Sequence, residues 1–167
     1  MNKPIAIITG ASTGIGRSLA IKLSDNYLVY LISRNKNNLN KTKELINLKN
    51  NDCRIIVSDI SKIESTDDIY SQIENKEKIE LLINNAGIGV FKNITDTSID
   101  DWNDTLNTNL RGSFLMTKMI IDNLKSKKNG QIVFISSVAG IQPYKNSTAY
   151  VASKYGLRGF ASALREE

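Results

Sequence analysis

Histidine is absent from this chain, cysteine and tryptophan occur once each, and proline occurs twice in 167 residues. Without an imidazole, histidine-based metal sites and histidine-based catalytic triads are excluded. Cys53 has no second cysteine to pair with, so an internal disulfide is excluded and a reducing compartment fits. Its position at the head of an apolar run reads as a core thiol rather than a reactive one. No apolar run approaches the length that crosses a bilayer, and Met1-Asn2-Lys3-Pro4 lacks the apolar stretch of a signal peptide. The expectation is a cytoplasmic protein with no membrane partner. Acidic residues are in the minority, 17 against 22 Lys and Arg, for a net charge of +5. The bases are spread along the chain and are often followed by Asn or Glu. They read as solvated helix faces rather than a nucleic-acid patch, although a modest positive field favours a phosphate-bearing cofactor.

What is present is an ordinary globular composition, 41% hydrophobic and 23% charged, long enough for one domain spanning 1–167. There is no internal repeat and no long Pro- or Gly-rich linker. Apolar runs at 5–9, 28–33, 54–58, 79–83 and 131–135 suit parallel strands buried on both faces. Between them lie helical stretches at 14–25, 37–49, 62–75 and 99–127, with 148–166 after the last strand. Ser61-Lys62-Ile63-Glu64 matches a capping box, and Ser98 precedes Asp100 and Asp101 in a helical first turn. This alternation predicts an α/β fold with a doubly wound, Rossmann-like parallel sheet of at least five strands.

The first strand runs into Thr9-Gly10-Ala11-Ser12-Thr13-Gly14-Ile15-Gly16, which opens the first helix. Glycine suits a turn with positive φ and a backbone that an anion must approach closely, and a helix N-terminus offers free amides. The spacing Gly-x3-Gly-x-Gly differs from the general Gly-x-Gly-x2-Gly fingerprint. A tight turn without a ligand accounts for one of these glycines but not for three. After the second strand comes Leu31-Ile32-Ser33-Arg34-Asn35, with no acid to bind a ribose 2′-hydroxyl. Arg34 offers a planar donor fork suited to a 2′-phosphate, so NADP(H) is expected over NAD(H). The plain alternative is a surface charge on a loop.

Tyr150 and Lys154 stand four residues apart, on one face of the last helical stretch. A free phenol, with a pKa near ~10, is a poor acid at neutral pH. A nearby ammonium stabilises the phenolate and so makes the phenol a usable proton donor. Ser136 and Ser137 follow the fifth apolar run.

Taken together, Thr9-Gly10-x3-Gly14-x-Gly16, Asn84-Asn85-Ala86-Gly87, Asn109, Ser137 and Tyr150-x3-Lys154 resemble the short-chain dehydrogenases/reductases. The subgroup most similar is the ketoreductase-like one, which includes 3-oxoacyl-carrier-protein reductases. The resemblance extends from about residue 4 to the last residue. It implies an oxidoreductase that moves a hydride between a nicotinamide and a carbonyl/alcohol pair. Tyr150 would be the proton donor, and Ser137, selected over Ser136 by the family's spacing, would hydrogen-bond the substrate oxygen. Lys154 would also bind the nicotinamide ribose, and Asn109 would sustain a local helix distortion and a proton-relaying water. Implied cofactor contacts are Thr9, Gly10, Ser12, Thr13, Gly14, Ile15 and Gly16 in the loop, then Ser33 and Arg34. Asp59 and Ile60 would hold the adenine, Asn85, Ala86 and Gly87 would flank a ribose, and Tyr150 and Lys154 complete the set.

Small residues at Ala149, Ala152, Gly156, Gly159 and Ala163 permit close helix approach. In many family members the stretches matching 99–127 and 148–166 pair between subunits, which implies a homodimer or homotetramer. Trp102, Phe114, Met116 and Met119 read as core or interface residues, and Tyr155 as packing. Family members normally continue past the last helix into further strands and a substrate lid, so the chain reads as C-terminally truncated, with its fifth strand left as an edge. Two other readings stay open. One is a catalytically silent nucleotide-binding or regulatory subunit, against which the intact Asn-Ser-Tyr-Lys set argues. The other is a nucleotide-sugar epimerase, which shares Tyr-x3-Lys but has a different glycine spacing and a longer C-terminal domain.

Overall fold

The computed structural model describes residues 3–125 and 127–167; Met1, Asn2 and residue 126 of the expected helical stretch 99–127 lie outside them. Five strands, β1 (Ile5–Thr9), β2 (Leu28–Ser33), β3 (Cys53–Val57), β4 (Ile79–Asn84) and β5 (Gln131–Phe134), form one parallel sheet. Their order is β3-β2-β1-β4-β5. The helices are α1 (Gly14–Leu23), α2 (Lys36–Asn47), α3 (Ser65–Ser71), α4 (Ile99–Leu106), α5 (Gly112–Lys125) and α6 (Thr148–Glu166).

Strand side chains alternate between faces, so each strand feeds two cores. Ile5, Ile7, Tyr30, Ile32 and Ile56 point to one side, where they meet Ile69 of α3 and Met116 and Ile120 of α5. Ala6, Ile8, Val29 and Leu31 point to the other, against Ala20 of α1 and Leu39 and Ile46 of α2. Cys53 is buried in this second core, and burial pushes its thiol up to about 11, as an inert core position requires. Tyr30, also buried, satisfies its hydroxyl by accepting from the Glu74 amide at 3.0 Å.

Two helical stretches differ from the sequence reading. The Ser61 capping box does not form: the Ser61 amide and hydroxyl both donate to Asp59 Oδ1, at 3.0 and 2.8 Å, and α3 begins only at Ser65. By contrast, Ser98 and Asp101 exchange both bonds of a capping box at the start of α4. The stretch expected as one helix from 99 is divided by a π-helical turn at Asn107–Arg111, between α4 and α5. At the sheet's margin β5 pairs with β4 alone among the described residues, and its side chains alternate between exposed and half-buried.

Candidate active site

A cleft of about 590 Å³ lies at the C-terminal ends of the strands, walled by the residues that follow each of them: Gly10, Arg34, Ser58, Asn85 and Ile135. In an open α/β sheet this is where strand order reverses and loops diverge, leaving a crevice.

The glycine loop forms one wall. Gly10 and Gly14 have φ of +66° and +53°, which side-chain-bearing residues rarely adopt. A methyl group on Gly16 would lie 2.3 Å from the Gly10 carbonyl oxygen, so Gly16 lets α1 sit directly against the turn. A methyl on Gly14 would meet no atom within 4 Å, so that position opens onto free space. Thr13 caps α1 without a side-chain bond, and no acid stands in the first turn. The first amides of α1 are therefore available to an anion, with the helix dipole in its favour. The turn is braced from behind: Arg17 donates to the Ser12 carbonyl at 2.5 Å and to Thr42 Oγ1 at 3.0 Å, while buried Thr42 donates to the Ala11 carbonyl at 3.1 Å. Free amides, open space at Gly14 and a fixed loop fit a dinucleotide pyrophosphate.

Thr9 lies beneath the loop, fully buried. Its Oγ1 accepts from the Asn85 and Ala86 amides, both at 3.0 Å, and donates to the Ile83 carbonyl at 3.4 Å. Asn85 Nδ2 answers by donating to the Thr9 carbonyl at 2.9 Å and the Gly10 carbonyl at 3.2 Å. At the far end of the cleft Ser33 donates to Ser12 Oγ at 3.0 Å, and Arg34 Nη1 lies 3.9 Å from Asp59 Oδ2. Burial acts to raise the Asp59 pKa, but the two Ser61 hydrogen bonds and the Arg34 charge outweigh it and hold the carboxyl below its usual value.

The opposite end carries α6. Lys154 is buried, donates from Nζ to the Ile135 carbonyl at 2.8 Å, and has that nitrogen 5.7 Å from the Tyr150 ring centroid. Burial alone pushes its pKa down from the ordinary lysine value. The Tyr150 ring packs against Phe91 at a centroid distance of 5.6 Å. Asn109, wholly buried within the π-helical turn, accepts from the Ile88 amide and donates to the Ile88 carbonyl, both at 2.8 Å, and donates to Ser153 Oγ at 2.9 Å. Ser137 begins a short helical turn by accepting from the Ala139 amide at 3.1 Å, which leaves its own hydroxyl hydrogen free to donate. The buried Ser136 hydroxyl has no hydrogen-bond partner among the described residues.

Both the sequence and the fold that carries this cleft are matched by known proteins. The sequence pattern of the family described as short chain dehydrogenase fits residues 4–167. The chain belongs to the short-chain dehydrogenase family. It is 36% identical over 167 residues to a 3-oxoacyl-[acyl-carrier-protein] reductase of Buchnera aphidicola, spanning 99% of this chain and 67% of that one. It is 32% identical to a sepiapterin reductase of Chlorobaculum tepidum, spanning 98% of this chain and 70% of the relative. Among solved structures, a metagenomic short-chain oxidoreductase in complex with NADP superposes with a TM-score of 0.91 at 28% identity, over 98% of this chain and 74% of that one.

In this short-chain dehydrogenase, Gly10, Ser12, Thr13, Gly14, Ile15, Ser33, Arg34, Asp59, Ile60, Asn85, Ala86, Gly87, Tyr150 and Lys154 all line the cleft. Thr9, Gly16, Asn109 and Ser137 are not part of its wall. Thr9 and Asn109 hydrogen-bond the backbone behind the wall and Gly16 makes room for the Gly10 carbonyl, whereas Ser137 stands half-buried beside Ser136, which does line the cleft. The sequence reading missed Ser58, Ile88, Gly89, Phe91, Thr108, Ile135 and Ser136. Ile88 and Gly89 simply continue the Asn-Asn-Ala-Gly run, and Ile135 ends the fifth apolar run. Nothing in the sequence marks Phe91 or Thr108 as facing the cleft.

Proposed function

We propose that this chain forms a single NADP(H)-binding domain, residues 1–167, that reduces a carbonyl group to an alcohol at the Tyr150 end of the cleft. The observation that carries the reading is that Tyr150 and Lys154 wall the same crevice as the glycine loop. The glycine loop and the α1 amides hold the pyrophosphate; Arg34 meets a 2′-phosphate, and no acid at the end of β2 favours a bare ribose in its place. NADPH, when bound, supplies a hydride for the carbonyl carbon. Tyr150 gives its phenolic proton to the carbonyl oxygen, so that hydride and proton together complete the alcohol. The buried Lys154 ammonium stabilises the phenolate left behind. Ser137 donates its free hydroxyl hydrogen to the same oxygen and steadies the developing charge. Asn109 fixes the loop that carries Ile88 and, through Ser153, the α6 turn that carries Lys154.

The NADP named in the metagenomic relative's complex and the reductase names of the relatives agree with this chemistry. The protein works in a reducing cytoplasm, which its single buried cysteine suits. It assembles as a homodimer or homotetramer through α4, α5 and α6, where Trp102 and Phe114 remain partly exposed and Phe114 meets Phe160 edge-on at 6.0 Å. Gly156 is spent on packing within the chain, against Leu110, whereas Gly159 opens onto free space.

The test is loss of NADPH absorbance with a panel of ketones and β-ketoacyl thioesters. Turnover is expected with at least one, and Tyr150→Phe is expected to abolish it while sparing cofactor affinity. Undiminished activity in that variant defeats the mechanism. Tight cofactor binding without turnover on any carbonyl instead identifies a silent nucleotide-binding subunit.

A further inference from the structure

We propose that Phe91 is the specificity-determining residue of this site and that it selects carbonyl substrates carrying an aromatic or similarly broad apolar substituent. The inference rests on the reductase reading, because it takes the Tyr150 hydroxyl as the point that the carbonyl oxygen must reach.

Phe91 lies on the cleft wall, with its ring 5.6 Å from that of Tyr150 and inclined to it by 56°, yet the residue remains 61% exposed. A phenyl ring open to water ordinarily escapes by rotating onto an apolar surface or by letting its loop relax. Here the main chain that carries the ring is held on both sides of it, and the ring itself rests on Tyr150. On one side Asn109 holds both the amide and the carbonyl of Ile88. On the other, Lys92 donates to Asp101 at 2.7 Å, which ties the loop to the first turn of α4. Gly89 completes the arrangement: a methyl there would lie 3.0 Å from Phe91 Cε2 and Cζ and 3.3 Å from Tyr150 Cδ2. With any side chain at this position, both rings would have to shift by a few tenths of an ångström.

The fixed ring therefore presents an apolar surface immediately beside the proton donor. The charged groups around the cleft already have partners or stand at its other end. Arg34 and Asp59 face each other at the opposite end of the cleft, Lys92 is engaged by Asp101, and Lys154 turns its ammonium to the Ile135 carbonyl. A substrate bearing a carboxylate or phosphate next to its carbonyl meets no uncommitted cation beside Phe91 among the described residues, whereas an aryl or bulky alkyl group covers the exposed ring and gains by displacing water.

The experiment compares short methyl ketones with their aryl counterparts, acetophenone being the aromatic probe, on the full chain and on Phe91→Ala. The wild-type protein is expected to prefer the aryl ketone by roughly tenfold in kcat/KM. Phe91→Ala should erase that preference by raising the aryl-ketone KM several-fold more than the short-ketone KM. Phe91→Leu, which keeps an apolar surface, should restore part of it. An equal loss across both ketone series, or none, overturns the proposal. Acetophenone binding to the NADP⁺-saturated protein, followed by ligand-observed magnetic resonance, gives a readout independent of turnover. If no carbonyl is reduced but Phe91→Ala still weakens acetophenone binding, the reductase reading fails and the recognition surface stands. If turnover is normal and acetophenone binds both proteins alike, only the recognition surface falls.

Discussion

Asn109 grips the main chain of Ile88 from both sides, accepting from its amide and donating to its carbonyl at 2.8 Å each. The same side chain reaches Ser153 on α6, so one amide joins the π-helical turn, the loop after β4 and the helix bearing Tyr150 and Lys154. Asn109→Ala leaves the Ile88 amide and carbonyl without their side-chain partner and removes the bond that Ser153 Oγ accepts, although Ser153 still donates to the Tyr150 carbonyl at 2.7 Å. Each buried polar group left unsatisfied costs about 1–3 kcal/mol. Urea unfolding should show a loss of about 2 kcal/mol or more, and turnover should fall with it. A stability change within error would mean the clamp is idle.

Gly14 and Gly16 should respond differently to the same substitution. Gly16→Ala drives a methyl into the Gly10 carbonyl, at 2.3 Å, and should destabilise the fold by about 3 kcal/mol or more. Gly14→Ala meets no atom and carries only the strain of its positive φ, about 1–2 kcal/mol. Its methyl enters the space read as the pyrophosphate's, so NADP⁺ affinity should fall out of proportion to the modest stability loss. Titration calorimetry beside chemical denaturation separates the two effects.

Arg34 is the residue proposed to tell the two nicotinamide cofactors apart. Removing a charge-assisted hydrogen bond of this kind costs roughly tenfold to a hundredfold in affinity. Arg34→Ala should weaken NADP⁺ by that factor and leave NAD⁺ almost untouched, as dissociation constants measured at one ionic strength will show. Equal weakening of both cofactors would remove Arg34 from the 2′-phosphate site.

Lys154 has its pKa pushed below 10.5 by burial. Below the folded-state value both folded and unfolded chains carry the charge, and the burial penalty is present in full. Between that value and 10.5 the unfolded chain holds a proton that the folded chain lacks, so unfolding free energy should rise with pH across that window. Lys154→Met should abolish the rise and cut turnover by roughly a hundredfold or more. Denaturation midpoints from neutral pH to above 10.5 will report the first effect. An unchanged alkaline slope in the variant would dissociate Lys154 from it.

The strands were legible because their apolar runs stand out between amphipathic stretches, those of β1, β2 and β4 being buried on both faces, and the loop because three glycines follow directly on the first of them. The helix after β3 was misplaced because Ser61 had two partners open to it: the sequence shows a capping pattern, but folding turned its amide and hydroxyl to Asp59 instead. The π-helical turn was implied only by resemblance, since Asn109 sits in a stretch whose periodicity reads as continuous helix. Thr9 was placed among cofactor contacts by its neighbours in the motif, yet it faces the opposite way, into the sheet. Phe91 stayed hidden because a cleft made by loops from several strands has no period along the chain.

The buried hydroxyl of Thr9 receives two successive amides from the neighbouring loop while its own strand leads straight into the glycine turn. The pyrophosphate wall and the wall that carries Ile88 are thus sewn together below the floor, and neither can swing without the other. Moving either wall alone means breaking these bonds, which leaves the upper rim as the less costly place for any gating of the crevice.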